Sequence, residues 1–179
     1  MPTARIVIAD YDPAWPGMFA AARDELMRAV GPWVTGIEHI GSTAVPGLAA
    51  KPVIDVLVAV RALAEADAHC IEPIVTLSYE YIAKYEAEMP YRRYFRRAPD
   101  DGQLEHHIHL VERDSEFWER HLLFRDYLRA HPAVAREYGR LKRELAPLFV
   151  DTNDYADAKT EFIRDAETAA RAWRVSGDT

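Results

Sequence analysis

Apolar positions along the chain change period several times, and each change marks an element. Arg5–Ala9 is a short β-type run, and "DYDPAWPG" after it is a turn cluster leading into a helix. Across Ala14–Val30 the apolar residues Trp15, Met18, Phe19, Ala22, Leu26 and Val30 recur at helical spacing until Gly31-Pro32 stops them. Val34–Ile40 and Pro52–Val60 read as strands, the second rich in β-branched residues. Ala62–Leu77 reads as a helix that Pro73 interrupts or ends early. Three β-like runs follow, Tyr79–Tyr85, Tyr91–Arg97 and Leu104–Glu112, with Asp100-Asp101-Gly102 as a hairpin turn between the last two. From Ser115 the period is helical: Ser115–Ala130, then Pro132–Leu148, then a segment from near Asp154 to about Arg174. The pattern predicts one α+β domain over residues 1–179, a mixed sheet packed by helices with a helical C-terminal half.

One residue breaks this pattern. In "HIGSTAVPGLAAKPVIDVLV" (His39–Val58) a carboxylate, Asp55, stands inside an apolar strand. A buried carboxylate without a partner is costly, so Asp55 needs a cation, a metal or strong donors beside it. Lys51 or an arginine would make it a structural ion pair; a divalent ion would make it a site. The preceding Gly41-Ser42 has two readings as well. It is either a plain turn or a place where backbone N–H groups approach a phosphate.

Other candidates flank that strand. In "QLEHHIHLVE" strand alternation puts Glu105, His107 and His109 on one face and His106, Ile108 and Leu110 on the other. Ile108 and Leu110 should face the core, which turns His107 and His109 toward a cleft. Such a pair either chelates, with imidazoles suiting Mn, Zn or Fe better than Mg, or is satisfied structurally. In "YRRYFRR" Arg93 and Arg97 share a face with Phe95, opposite Arg92 and Arg96. Arg93 is the expected phosphate contact, against the alternative of a charged edge strand. On the last helix Tyr155, Lys159, Phe162, Ile163, Ala166 and Trp173 form one stripe in which Lys159 is the odd member. It either snorkels outward or brings a positive charge to the cleft. Glu112, Arg125 and Asp126 read as structural.

Composition narrows the classes. A net charge of −7 argues against general nucleic-acid binding, though not against a local basic patch. The single cysteine, Cys70, excludes an intrachain disulfide framework and a cysteine-based metal cluster. No basic-then-apolar leader and no apolar run near ~18 residues is visible, so the expectation is a cytoplasmic protein that does not enter the membrane.

A strand, a Gly-Ser, a short connection and a second strand carrying Asp resemble the core of the nucleotidyltransferase superfamily typified by DNA polymerase β. More closely, "EHIGSTAVPGLAAKPVIDVLV" resembles the signature of the GrpB family, a bacterial group in that superfamily. "YDPAWPGMF", "HHIHLVE", "HLLFRDYLRAHP" and "YADAKTEFI" follow in that family's order. The resemblance implies a nucleotidyltransferase-like fold that binds a nucleotide or another phosphorylated small molecule, with a nucleoside triphosphate as substrate. It implies phosphate contacts at Gly41 and Ser42, Mg²⁺ or Mn²⁺ (with Zn²⁺ open) on Asp55, and a family-wide Tyr-x-x-x-Lys reaching the cleft through Lys159. His107 and His109 lie on the strand where the superfamily places its third acid, so Asp55, His107 and His109 form the expected metal and catalytic set, with Arg93 and Lys159 neutralising phosphate. The superfamily's second strand acid is replaced by Leu57, which leaves a two-metal cage incomplete. Two further readings therefore stand beside nucleotidyl transfer. One is a non-catalytic accessory module, in keeping with the fusion of such domains to dephospho-coenzyme A kinases. The other is a small metallohydrolase using the same three residues.

Overall fold

A run of apolar residues broken by one acid becomes the strand on which the sheet is built. In the computed structural model, which describes residues 6–98 and 105–177, every residue of Val53–Val60 except Asp55 is buried. A strand apolar on both faces needs neighbours on both edges and cover on both sides. Five strands supply the edges: β1 (Val34–Ile40), β2 (Val53–Val60), β3 (Glu80–Tyr81), β4 (Arg92–Arg97) and β5 (Glu105–Glu112), in the order β1-β2-β5-β4-β3. Only β2 and β5 are parallel; the other pairs are antiparallel. The fold is α+β, as the periodicity implies.

The two faces are covered differently. On one, Ile54, Val56, Val58, Val60, Phe95, Ile108 and Leu110 pack beneath α1 (Trp15–Val30), α2 (Leu63–His69) and α3 (Ile71–Thr76). On the other, Ile40, Leu57, Ala59 and Val111 are capped by Phe117 and Trp118 at the start of α4 (Glu116–Ala130). The Asp55 end of that second face escapes this cap. It opens toward α5 (Pro132–Leu145), α6 (Thr152–Asp157) and α7 (Thr160–Gly177), of which α5 and α7 pack with α4 around Tyr127, Leu128, Tyr138, Ala166 and Ala170.

Several expected elements change shape. The helix over 62–77 divides at Cys70, and Pro73 sits in the first turn of α3, where a missing N–H breaks no helical bond. Only Glu80–Tyr81 of the 79–85 run is strand, because Ala83–Tyr85 closes into a 3₁₀ turn. The last helix starts earlier, at Thr152, since the Asp151 carboxylate accepts from Asn153 and Asp154 N–H, and it breaks between Asp157 and Thr160. The first β-type run contributes one bridge, Ala9 to Ala50. Arg5, Leu104 and the turn at Asp100-Asp101-Gly102 lie outside the described residues. Among the described residues no helix is long and apolar enough to cross a membrane.

The connection from β1 to β2 is locked by a polar relay. The Thr43 hydroxyl donates to Val53 O (2.8 Å) and accepts from His39 Nε2 (3.0 Å), so the His39 hydrogen sits on Nε2. Burial lowers the His39 pKa to about 4, which keeps the ring neutral. The ring stacks on Phe19, with centroids 4.8 Å apart. Arg125 on α4 donates to Glu38 and to His39 O, and Arg129 donates to Ala44 O, so one helix holds both ends of the turn. Thr43→Val keeps the shape but leaves His39 N–H and Val53 O unpaired. It should destabilise the fold by about 1–3 kcal/mol, read as a calorimetric melting point lower by several degrees.

Candidate functional site

Asp55 is balanced by imidazoles rather than by lysine or arginine. β-Sheet register sets His107 directly beside Asp55 and His109 beside Leu57. His107 Nδ1 lies 3.3 Å and His109 Nε2 3.5 Å from Asp55 Oδ1. Burial works against the charged carboxylate, but hydrogen bonds from the two rings hold its pKa well below the usual carboxylate range. For His107 burial is likewise outweighed: Asp55 on Nδ1 and Glu105 on Nε2 (2.9 Å) raise its pKa to about 9. His109 goes the other way. Burial lowers its pKa despite Asp55, and Arg92 NH1 donates to its Nδ1 (3.2 Å). Asp55 and His107 thus make an ion pair, with His109 as a neutral neighbour. Lys51 pairs with Glu105 instead, at 3.5 Å.

Gly41 is a condition of this arrangement. Its φ of +72° lies in the left-handed region, and a Cβ there would fall on the Asp55 carboxylate. Ser42 opens the 3₁₀ turn that follows, and its hydroxyl accepts from Lys142 Nζ at 2.8 Å. Lys142 is 2% exposed and also donates to Ala49 O. No carboxylate pairs with it among the described residues, and burial with Lys159 and Arg143 nearby lowers its pKa to about 7. Helix α5 can come this close because Gly139, one turn earlier, packs on Leu48 and Ala49. Lys159 stands at the break between α6 and α7, its ammonium 4.2 Å above the Tyr155 ring. Burial, offset partly by Asp55, lowers its pKa to about 8. The Tyr155 hydroxyl is buried without a hydrogen-bond partner.

These groups line one cleft of about 290 Å³, which includes Ser42, Lys51, Asp55, His107, Lys142, Tyr155 and Lys159. Three lysines face one carboxylate among its lining residues, so the cleft favours an anion. Asp55, His107 and His109 each offer one ligand atom, all within 4.8 Å of one another. The structure therefore brings together Gly41, Ser42, Asp55, His107, His109 and Lys159.

Arg93 is the correction. It shares the face of Phe95, which is buried beneath α1–α3, so it lies across the sheet from Asp55. Its guanidinium is bound by Asp67 at 2.6 and 2.8 Å, and Arg97 is held by Glu25. The arginines on the site face are Arg92 and Arg96. Lys142 escaped the sequence reading, although a signal existed: it continues the buried stripe Ala135, Tyr138, Gly139 of α5, where a lysine is out of place.

The model of the family described as GrpB protein matches residues 5–169. The chain is 40% identical over 174 residues to the UPF0157 protein YqkA of Bacillus subtilis strain 168, a match covering 97% of this chain and 49% of that protein. It spans about half the length of that curated relative. The crystal structure of the conserved protein GrpB from Enterococcus faecalis is similar at a TM-score of 0.81 and 38% identity, covering 93% of this chain and 99% of the other. The Cid1 poly(U) polymerase with Mg and 3′-dATP bound shows a distant likeness, TM-score 0.46 and 13% identity over 78% of this chain and 40% of that one.

Leu57, two residues after Asp55 on the same strand face, is fully buried against Phe117 and Trp118. Leu57→Asp should therefore not rebuild a metal cage. The new carboxylate meets aromatic rings instead of water, and the fold should lose several kcal/mol, with a lowered denaturation midpoint and no gain in Mn²⁺ affinity by calorimetry.

Proposed function

The chain belongs to the GrpB family, and we propose that its cleft binds a nucleoside triphosphate or another phosphorylated small molecule together with a divalent ion. The observation that carries this reading is Lys142, a buried ammonium that touches Ser42 and has no carboxylate partner among the described residues. A buried cation of this kind is stabilised when an anion joins it. Lys159 and the unpartnered Tyr155 hydroxyl line the same space and add a second charge and a donor.

The donors suit a metal. Asp55, His107 and His109 would hold it, and two imidazoles with one carboxylate match Mn²⁺ or Zn²⁺ better than Mg²⁺. Glu105 behind His107 is the outer carboxylate that orients a ligating ring. Coordination through His109 Nε2 requires Arg92 to give up its hydrogen bond to Nδ1. A bound ion supplies charge neutralisation to the phosphates and fixes their orientation. Around it Lys142 and Lys159 hold phosphate oxygens, Ser42 contributes its hydroxyl, and Gly41 keeps the backbone clear of Asp55.

Nucleotidyl transfer is the reaction to test first. In it an acceptor oxygen bonds to the α-phosphorus, the bond from that phosphorus to pyrophosphate breaks, and the acceptor proton passes to solvent. The buried Leu57 favours a second reading, a module that binds the nucleotide without turning it over. A hydrolase built on the same three donors leaves the two lysines without a task.

Saturating Mn²⁺ binds the folded chain alone and should stabilise it by about 2.7 kcal/mol at a hundredfold excess over Kd. Melting curves should show a rise of several degrees in wild type and none in Asp55→Asn. A wild type indifferent to Mn²⁺, Mg²⁺ and Zn²⁺ leaves Asp55 as the partner of His107 only.

Anion binding should depend on pH in a defined direction. With Lys142 near 7 and Lys159 near 8, a polyphosphate that needs both charged must bind with proton uptake above those values. Metal-free tripolyphosphate affinity, measured by calorimetry, should fall between pH 7 and 9 by up to about tenfold per unit for each proton taken up. Lys142→Met should bind weakly with a shallower profile, and Ser42→Ala should weaken binding by about 1–3 kcal/mol. Unchanged affinity in both variants would sink the proposed site.

A further inference from the structure

The metal-ligand cluster has space on both of its sides. Sheet register sets Tyr94 beside His109 and Arg96 beside His107, all on the face of Asp55. The Tyr94 ring centroid lies 5.5 Å from His107 and 5.3 Å from His109, so that ring is a wall of the cluster. Its far side borders a second cavity of about 330 Å³, closed by Glu80, Lys84, Tyr85 and Arg96 from the segment that follows β3 and from β4. That volume lies within the range of small-molecule sites. The cleft with Ser42, Lys142 and Lys159 shares none of these residues.

The second cavity is lined for a particular chemistry. Tyr85 and Tyr94 both line this space, with ring centroids 6.1 Å apart at 61°. Lys84 Nζ stands 4.9 Å over the Tyr85 ring. Arg96 is shared between Glu80 at 3.4 Å and Glu105 at 3.9 Å, and Glu105 in turn holds His107. Arg96 is thus neutralised, and Lys84, which has no carboxylate partner among the described residues, favours an anion, while the tyrosines favour an aromatic ring.

We propose that this cavity binds a second ligand, a flat aromatic base bearing a phosphate, of the nucleoside monophosphate class, on the opposite side of the cluster from the triphosphate. The cavity stands on its own geometry; its role as the acceptor site rests on the nucleotidyl reading above.

The test is calorimetry on the full chain with adenosine 5′-monophosphate, adenosine and ribose 5-phosphate, each with and without a saturating non-hydrolysable ATP analogue. Adenosine 5′-monophosphate should bind one to one in the presence of the analogue, with the two fragments at least about tenfold weaker because each lacks one recognised group. Tyr85→Ser should weaken it about tenfold and leave the analogue's affinity unchanged. Lys84→Glu, on a solvent-exposed turn residue, should do the same without any risk to the core. Lys142→Met should do the reverse. If the monophosphate fails to bind, or is displaced competitively by the analogue and ignores Tyr85→Ser and Lys84→Glu, the second site is overturned while the triphosphate cleft survives. If the analogue fails to bind while the monophosphate still depends on Tyr85 and Lys84, the second cavity stands and the triphosphate reading falls.

Discussion

An ionised carboxylate on the central strand of a sheet is the constraint on which the rest of this structure depends. Asp55 sits where its neighbours along β2 are fully buried, and only matching donors keep it charged. The fold meets that demand with two imidazoles from the adjacent parallel strand, one of them charged because a second carboxylate, Glu105, lies behind it. The same demand reaches β1. The residue after that strand must be a glycine, because the carboxylate occupies the volume of its missing Cβ.

The sheet face that carries Asp55 is divided between a dry half and a wet half. Phe117 and Trp118 seal Leu57, Ala59 and Val111 at one end. At the other end α5 and the α6–α7 break bring lysines where a core would carry leucines. Burial lowers the pKa of both ammonium groups, and Lys159 adds to the effect at Lys142. The lysines, more than the aspartate, are therefore what supports reading the cleft as an anion site. Leu57, two residues beyond Asp55 on the same strand face, belongs to the dry half.

Helix α4 connects the two halves. Arg125 and Arg129 tie its C-terminal half to β1 and to the Ser42–Ala44 turn, while its first turn closes the dry half. The Gly-Ser turn is thereby held from below by Thr43 and His39 and from above by arginines. Its hydroxyl is presented to the cleft by a rigid frame.

Period and residue type alone determined the strands at Val34–Ile40 and Val53–Val60, the core positions of Ile108 and Leu110, and the shared face of Glu105, His107 and His109. Strand alternation is a local property, so those assignments needed no partner strand. Asp55 stood out as an acid inside an apolar strand, and the likeness of the Gly-Ser signature then favoured the phosphate reading of Ser42. Local pattern could not decide which face of β4 looks at Asp55. Phe95 anchors that choice by entering the core beneath α1, which carries Arg93 away to Asp67 and leaves Arg92 and Arg96 on the site face. Nor could it identify Lys142, a hundred residues from its hydroxyl partner, because a lysine in an apolar stripe looks the same whether it snorkels to water or is held inside. Only the packing of α5 on the loop before β2 distinguishes the two, since burial and partner choice are properties of the assembled chain.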